Sequence, residues 1–458
     1  MEAIEDPLEQ RVRQSLPALV GGTVESLERE SRWRPSWIAQ VRRGGTLKPI
    51  YVRGDRGEGY SFPLSYEANV LEILEENGIP VPHVYGMCED PQAIVMDLVP
   101  GNRQMSGLVS DAEKRRAIDD YVAIMARMHQ IDVAKFTERG LENPPVPEDL
   151  QNNQHRKNIA FYRSLKSRPE PLVEFVLKWM DANVPRHRTE RSFVTLDSGQ
   201  FLVNQGRVSA IYDLEIGHIN DPLADLGGWR IRNVFEPLYD MGHMFREYAR
   251  LTGRPLDYNV INYHVMVLSI STSLCIARQI TMPLDTAVNW LVWEVSGTRM
   301  ALTAMADILD VDLIAPQWPE AVRSPRSHAV ESMKLAIDAI PVADDPADGY
   351  RRAMARNLAG HLELVDRYGG AIDKANLDEI EEMTGERPAT IADGDSALER
   401  FVAQAGPEYD ERLLQVFFRR NERNRMLLPV FTEEVAAGDV SPFLDDCLLP
   451  RIRDLMGD

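Results

Sequence analysis

The chain has 458 residues, 44 % of them hydrophobic, which is enough for a packed core and for roughly two to four structural units. Its formal net charge of −20 argues against a general nucleic-acid binder, because phosphate backbones call for clustered Lys and Arg. Three cysteines, Cys88, Cys275 and Cys447, stand far apart without CxxC spacing, which argues against a disulfide framework or a zinc site and fits a reducing cytoplasm.

The opening "MEAIEDPLEQRVRQ" is acidic and has no apolar stretch followed by a small-residue cleavage site, so a secretory signal is not expected. "EQRVRQSLPALV" has helical spacing, and "WIAQVRR" and "PIYVRGD" read as strands around the turn "GGTLK". "SYEANVLEILEENGI" predicts an amphipathic helix capped by Ser65, and "VPHVYGMCED" and "QAIVMDLVPG" predict two more strands.

From Pro100 the pattern turns to long helices: "SDAEKRRAIDDYVAIMARMHQID", "NIAFYRSLKSR" and "PLVEFVLKWMDANV". A hairpin, "FVTLDSGQFLVNQGRVSAIYDLE", interrupts them with a turn at Asn204-Gln205-Gly206, and helices resume to about residue 335. The charge-poor run Asn259 to Gln279 contains "NYH" and "SISTS", so it predicts a buried helix rather than a membrane span. Beyond the Pro- and Asp-rich "PVADDPADGY", residues 346–458 read as wholly helical. The expectation is an α+β chain: a small lobe over 1–100, a helical large lobe over 101–340 joined to it through Met96 to Gly101 with a cleft between, and a helical extension over 346–458.

The order of a small mixed lobe, a hinge "VMDLVPG", a helix ending "ARMHQID" and a hairpin running into "YDLEIGHINDPLADLGG" resembles the aminoglycoside phosphotransferase-like (choline kinase-type) family over about residues 20–310. "AIYDLEIGHINDPLADL" is the most specific part, matching the family's Asp-x-Glu segment followed by Gly-Asp-Pro-x-x-Asp-Leu. The resemblance implies a protein-kinase-like two-lobe fold, with ATP and Mg2+ as cofactors and a small-molecule hydroxyl as acceptor. It makes Asp213 the metal-binding aspartate, with Glu215 either a neighbour in the metal site or a solvated carboxylate. Arg53 in "IYVRGD" becomes the cation on the α and β phosphates and Glu67 the carboxylate that orients it. Read alone, Arg53 is a strand-end cation and Glu67 a charge favoured by a helix N-terminus. The loop "RWRPSW" stands where the family has a nucleotide-covering turn, which offers Ser36 as a phosphate donor. Met96, Asp97, Leu98 and Val99 form the linker whose backbone meets adenine. His129, Asp221 and Asp225 read as structural.

One departure matters. The family's catalytic loop is His-Gly-Asp, four variable residues, then Asn. Counting back from Asp213 without a gap puts Gln200 at the Asn, Thr195 at the Asp and Phe193 at the His. Three readings follow: Asp197 replaces the acceptor-orienting Asp, with Gln200 as an oxygen ligand to the metal; Thr195 and Gln200 mark a catalytically inactive kinase-like binding protein; or the site carries out adenylyl transfer. "TLDSGQF" resembles a variant pattern among phosphotransferase-like relatives, which points to a subfamily. As a plain turn residue, Asp197 would bond its own backbone. The extension carries no catalytic motif; its apolar faces suit a bundle packed on the large lobe or on a second subunit, giving a homodimer. No nucleic-acid or membrane partner is expected.

Overall fold

The computed structural model describes residues 7–30, 34–55, 63–103, 105, 107–108, 110–276, 287–322, 327–341, 346–428 and 449–457. Residues 1–6 of the N-terminal reading, 32–33 of "RWRPSW", 277–279 of the charge-poor run, 342–345 of the Pro- and Asp-rich boundary and Cys447 lie outside them. The chain divides into two compact units, Met1–Asn153 with Arg188–Leu256, and Gln154–His187 with Asp257–Asp458.

The first unit opens with α1 (Pro7–Leu16), β1 (Thr23–Arg29), β2 (Ser36–Arg43), β3 (Thr46–Gly54), α2 (Leu64–Glu76), β4 (Val84–Glu89) and β5 (Gln92–Asp97). The strands form one antiparallel sheet in the order β1-β2-β3-β5-β4. Period-two alternation sorts its faces. Trp37, Ala39 and Val41 of β2 and Ile50 and Val52 of β3 join Val12 and Leu16 of α1 in one buried cluster. Tyr51 and Arg53 therefore take the opposite face, and the register sets Ser36 across from Arg53. The expected serine cap on α2 is not formed: Pro63 is the N-cap, at φ −66° and ψ 150°, with no side-chain bond. Its fixed φ and extended ψ start the helix at Leu64, so Ser65 falls inside the first turn.

β6 (Asn102–Arg103), α3 (Asp111–Met128), α4 (Val133–Thr137) and α5 (Pro147–Gln151) follow, α3 beginning at a reciprocal Ser110–Glu113 capping box. After α6 (Asn153–Leu165) and α7 (Pro171–Ala182), the chain returns to the first unit as β7 (Ser192–Val194), β8 (Phe201–Asn204), β9 (Arg207–Ile211), β10 (His218–Asn220), α8 (Leu223–Phe235) and α9 (Met241–Thr252). β8 and β9 form the expected hairpin, closed by Gln205 and Gly206, both at positive φ as a two-residue type I′ loop requires. β6 extends this hairpin, and β7 pairs with β10.

The second unit is helical: α6, α7, α10 (Tyr258–Ile276), α11 (Ala287–Leu309), α12 (Ser327–Asp338), α13 (Pro346–Thr384), α14 (Ile391–Gln404), α15 (Asp410–Met426) and α16 (Ile452–Met456). The extension packs on helices that precede it. Phe417 of α15 stacks on Phe175 of α7 with ring centroids 5.2 Å apart, and buried Glu422 accepts from Arg299 of α11 at 2.6 Å. Among the described residues no helix is long and apolar enough to cross a membrane.

Glu294 of α11 sits half-buried in this unit. Burial pushes its carboxyl up to about 7, Glu170 adds to the rise and Arg168 opposes it. The folded chain thus holds a proton that the unfolded chain has already released, and stability falls as pH rises from about 4.5 to about 7. Glu294→Gln should match the wild type in urea unfolding at pH 5 and exceed it at pH 8 by roughly 1–3 kcal/mol. Equal pH slopes for the two proteins would contradict this assignment.

Candidate active site

Arg53, at the end of β3, is the hub of a buried charge cluster. Its Nε donates to Glu67 Oε2 at 2.9 Å, and its Nη2 donates to Asp213 Oδ1 at 2.5 Å and Glu215 Oε2 at 3.0 Å. Glu67 belongs to a stripe on α2 that is otherwise apolar, with Leu64, Ala68, Leu71 and Leu74, and is only 3 % exposed. A carboxylate at such a position needs a cation facing it, and alternation along β3 supplies one. Burial works against the charge on Arg53, but Glu67, Asp213 and Glu215 hold its pKa well above the ordinary value. Burial also pushes the Glu67 carboxyl up to about 7, against the pull of Arg53 and helped by Glu215 and Asp213.

Asp213 follows β9 at φ +61°, a left-handed conformation that Asp tolerates better than most residues. Glu215 also accepts from Arg34, whose Nη1 donates to Gly54 O at 3.5 Å. Sequence reading missed Arg34. It lies two residues ahead of β2 in the same "RWRPSW" loop that offered Ser36, and only the sheet register brings it to the end of β3.

The loop between β7 and β8 is held from below by Asp225 of α8, which is fully buried. Its carboxylate accepts from Thr195 N at 3.1 Å, Thr195 Oγ1 at 2.9 Å, Leu196 N at 2.7 Å and His129 Nε2 at 2.8 Å. Gly199 N donates to Tyr121 OH at 2.7 Å, and Ser198 Oγ to Asp225 O. The close approach of loop and helix depends on Gly228, where a Cβ would stand 2.1 Å from Leu196 O. Asp221 takes both Nε and Nη2 of Arg188 and caps Leu223 N, so Asp221, Asp225 and His129 hold the loop and helix as expected.

Thr195 and Asp197 therefore face different ways. The Thr195 hydroxyl is buried against Asp225, and Phe193 is buried in a stack on Phe136. The Asp197 carboxylate, 31 % exposed, instead takes Arg232 Nη2 at 2.5 Å and Gln200 Nε2 at 3.0 Å. Crowding by the surrounding protein pushes its pKa up, Arg232 opposes this, and the nearby charges of Asp213 and Glu215 add to it. Gln200 and Asp213 flank the open end of the hairpin, where Tyr212 N donates to Gln200 O at 3.2 Å. Arg232, four residues past "DLGG", was also missed; a helix periodicity reading offers no reason to single it out.

Ser36 does not join this group through a side-chain bond: it is fully buried and donates to Glu30 Oε2 at 2.8 Å, as Tyr51 OH does at 3.0 Å. In the linker, Asp97 N donates to His83 O and Leu98 N to Pro49 O, while the Asp97 carboxylate is held by Tyr85 OH at 2.6 Å and Lys48 at 3.2 Å. Met96 is buried, and Leu98 and Val99 are half-buried.

The sequence model of APH, the phosphotransferase enzyme family, matches residues 39–244. The resemblance drawn from the motifs is borne out over that stretch, which is shorter than the 20–310 expected from them. Its element order is α+β, an antiparallel sheet with an internal helix followed by helices and a short hairpin. The chain is 25 % identical over 206 residues to acyl-CoA dehydrogenase family member 10 of Mus musculus, a match that takes in 41 % of this chain and 18 % of that protein. The chain thus spans less than a fifth of that relative's length. Among solved structures it is similar to choline kinase LicA from Streptococcus pneumoniae (19 % identity, TM-score 0.46, covering 64 % of this chain and 99 % of that one). It is also similar to macrolide 2′-phosphotransferase MphH from Brachybacterium faecium (16 %, 0.43, 63 % and 96 %).

Proposed function

We propose that the chain is an ATP- and magnesium-dependent phosphotransferase that acts on a hydroxyl group of a small molecule. The observation that supports this most is Arg53 held between Glu67 and Asp213 at 2.9 and 2.5 Å. A cation fixed in that way is pre-positioned for nucleotide phosphates. Asp213 and Gln200 offer the hard oxygen donors that suit Mg2+, which would neutralise phosphate charge. Glu215, shared by two guanidinium groups, fits the part of their holder better than that of a metal ligand. Nucleotide binding is assigned to residues 1–100, with the backbone of Met96–Val99 hydrogen-bonding adenine.

Asp197, rather than Thr195, is the residue we assign to the acceptor hydroxyl. Support comes from Leu196, at φ +61° in the middle of Thr195-Leu196-Asp197. The family's triplet, His-Gly-Asp, has there the residue that takes positive φ most freely. Matching the triplets shortens the following loop, leaving Ser198 and Gly199 between Asp197 and Gln200 in place of four residues. The hydroxyl loses its proton late in phosphoryl transfer, so a carboxylate already hydrogen-bonded to Arg232 and Gln200 remains adequate to orient it.

The test is calorimetric titration with ATP, with and without magnesium, followed by turnover on a panel of alcohols and sugars. Asp197→Asn should keep ATP affinity within about threefold and lose turnover by on the order of 10²–10⁴-fold. Lack of magnesium-dependent ATP binding by the wild type would sink the reading.

A further inference from the structure

Arg232 reaches from α8 to the Asp197 side of the loop. Its side chain passes over Gly199, where a Cβ would stand 2.8 Å from Arg232 Cγ and 3.0 Å from Arg232 Cβ, and where φ is +95°. The glycine of "DSGQ" thus leaves room for this arginine. Arg232 is 15 % exposed, contacts Asp197 through Nη2, and has a buried Nε with no hydrogen-bond partner among the described residues. Asp213 and Glu236 also act on its charge.

The contrast with Arg188 is informative. That side chain grips fully buried Asp221 through Nε and Nη2 together, at 2.7 and 3.0 Å, as a structural clamp does. Arg232 makes a single-nitrogen contact to a partly exposed carboxylate and keeps a donor in reserve. It stands beside the acceptor-side carboxylate, within the electrostatic reach of the metal-side one.

Resting on the phosphotransfer reading above, we propose that Arg232 is a catalytic cation that leaves Asp197 to bond the oxygens of the transferring phosphoryl group in the transition state. The bond from the γ-phosphorus to the ADP oxygen breaks with its electron pair going to ADP. A lone pair of the acceptor oxygen forms the new bond to phosphorus, and the acceptor proton passes to Asp197. Charge spreads over the three equatorial oxygens of the group in transit, and a planar guanidinium with free N–H donors matches them.

The experiment is binding of Mg·ADP with and without aluminium fluoride, a mimic of the planar phosphoryl group, read by calorimetry. The wild type should bind ADP on the order of 100-fold more tightly with fluoride present, and Arg232→Met should lose that gain while its affinity for ADP alone changes by less than about threefold. Asp197→Asn should keep most of the gain, which a purely positioning role for Arg232 through Asp197 does not predict. Should Arg232→Met fail to fold, Arg232→Gln, which keeps an amide donor for Asp197, is read in the same way. Full fluoride-dependent tightening in the arginine variant, or none in a wild type that binds Mg·ADP, overturns the proposal alone. A wild type that binds no magnesium nucleotide overturns the phosphotransfer reading and this proposal with it.

Discussion

An Asp213→Asn protein is expected to bind ATP no better with magnesium than without it, and to lose turnover by on the order of 10³-fold or more. The carboxylate leaves β9 in a left-handed conformation, half-buried beside Arg53 and near Asp197. Asn fits the same backbone and keeps an oxygen for Arg53, so folding should change little. What disappears is the negative charge that a hard divalent cation needs. Calorimetry with and without magnesium checks the binding, a turnover assay the loss of activity, and thermal unfolding the unchanged fold. Undiminished magnesium-dependent binding in the variant would take Asp213 out of the metal site.

Asp225→Ala is expected to cost about 3–5 kcal/mol of stability, because it removes the acceptor for two backbone N–H groups, a hydroxyl and a histidine, all buried. The cavity cannot be expected to supply new partners, since Gly228 already lets the loop lie against the helix. The same change frees Thr195 and Leu196, so Asp197 loses its aim and turnover falls with stability. Urea unfolding and turnover measured below the unfolding transition separate the two effects. A loss under about 1 kcal/mol would mean that the loop is held by its other bonds, Gly199 N to Tyr121 OH and Ser198 Oγ to Asp225 O.

Much of this was legible in the chain itself. Alternation along "PIYVRGD" marks a strand that ends near Arg53, and the apolar spacing of "SYEANVLEILEENGI" marks the helix that carries Glu67. Both rest on periodicities of 2.0 and 3.6 residues, which are local. The hairpin turn was legible for the same reason, because Gln205-Gly206 between two apolar runs specifies its own geometry.

The loop between β7 and β8 was not legible in the same way. Counting back from Asp213 assumed a loop of the family's length, which set Thr195 in the place of the aspartate. The shortened loop proposed above is supported by the positive φ at Leu196 and by the different partners of Thr195 and Asp197, which a count along the chain does not carry. Ser36 shows the same limit: the register sets it across from Arg53, yet its hydroxyl is committed to Glu30.

What the sequence determined by itself is the set of elements and the acidic end of the hairpin, because short-range pattern decides which face a residue takes; the pairing of Arg53 with Glu67 was implied by the resemblance alone. What only the tertiary structure decided is the company these residues keep. Arg34 meets Glu215 across 181 positions, Arg232 meets Asp197 across 35, and Asp225 reaches back to Thr195 across 30. Such contacts depend on how α8, the loop and the strands pack, and a charge held in low dielectric takes its role from the neighbours that packing gives it.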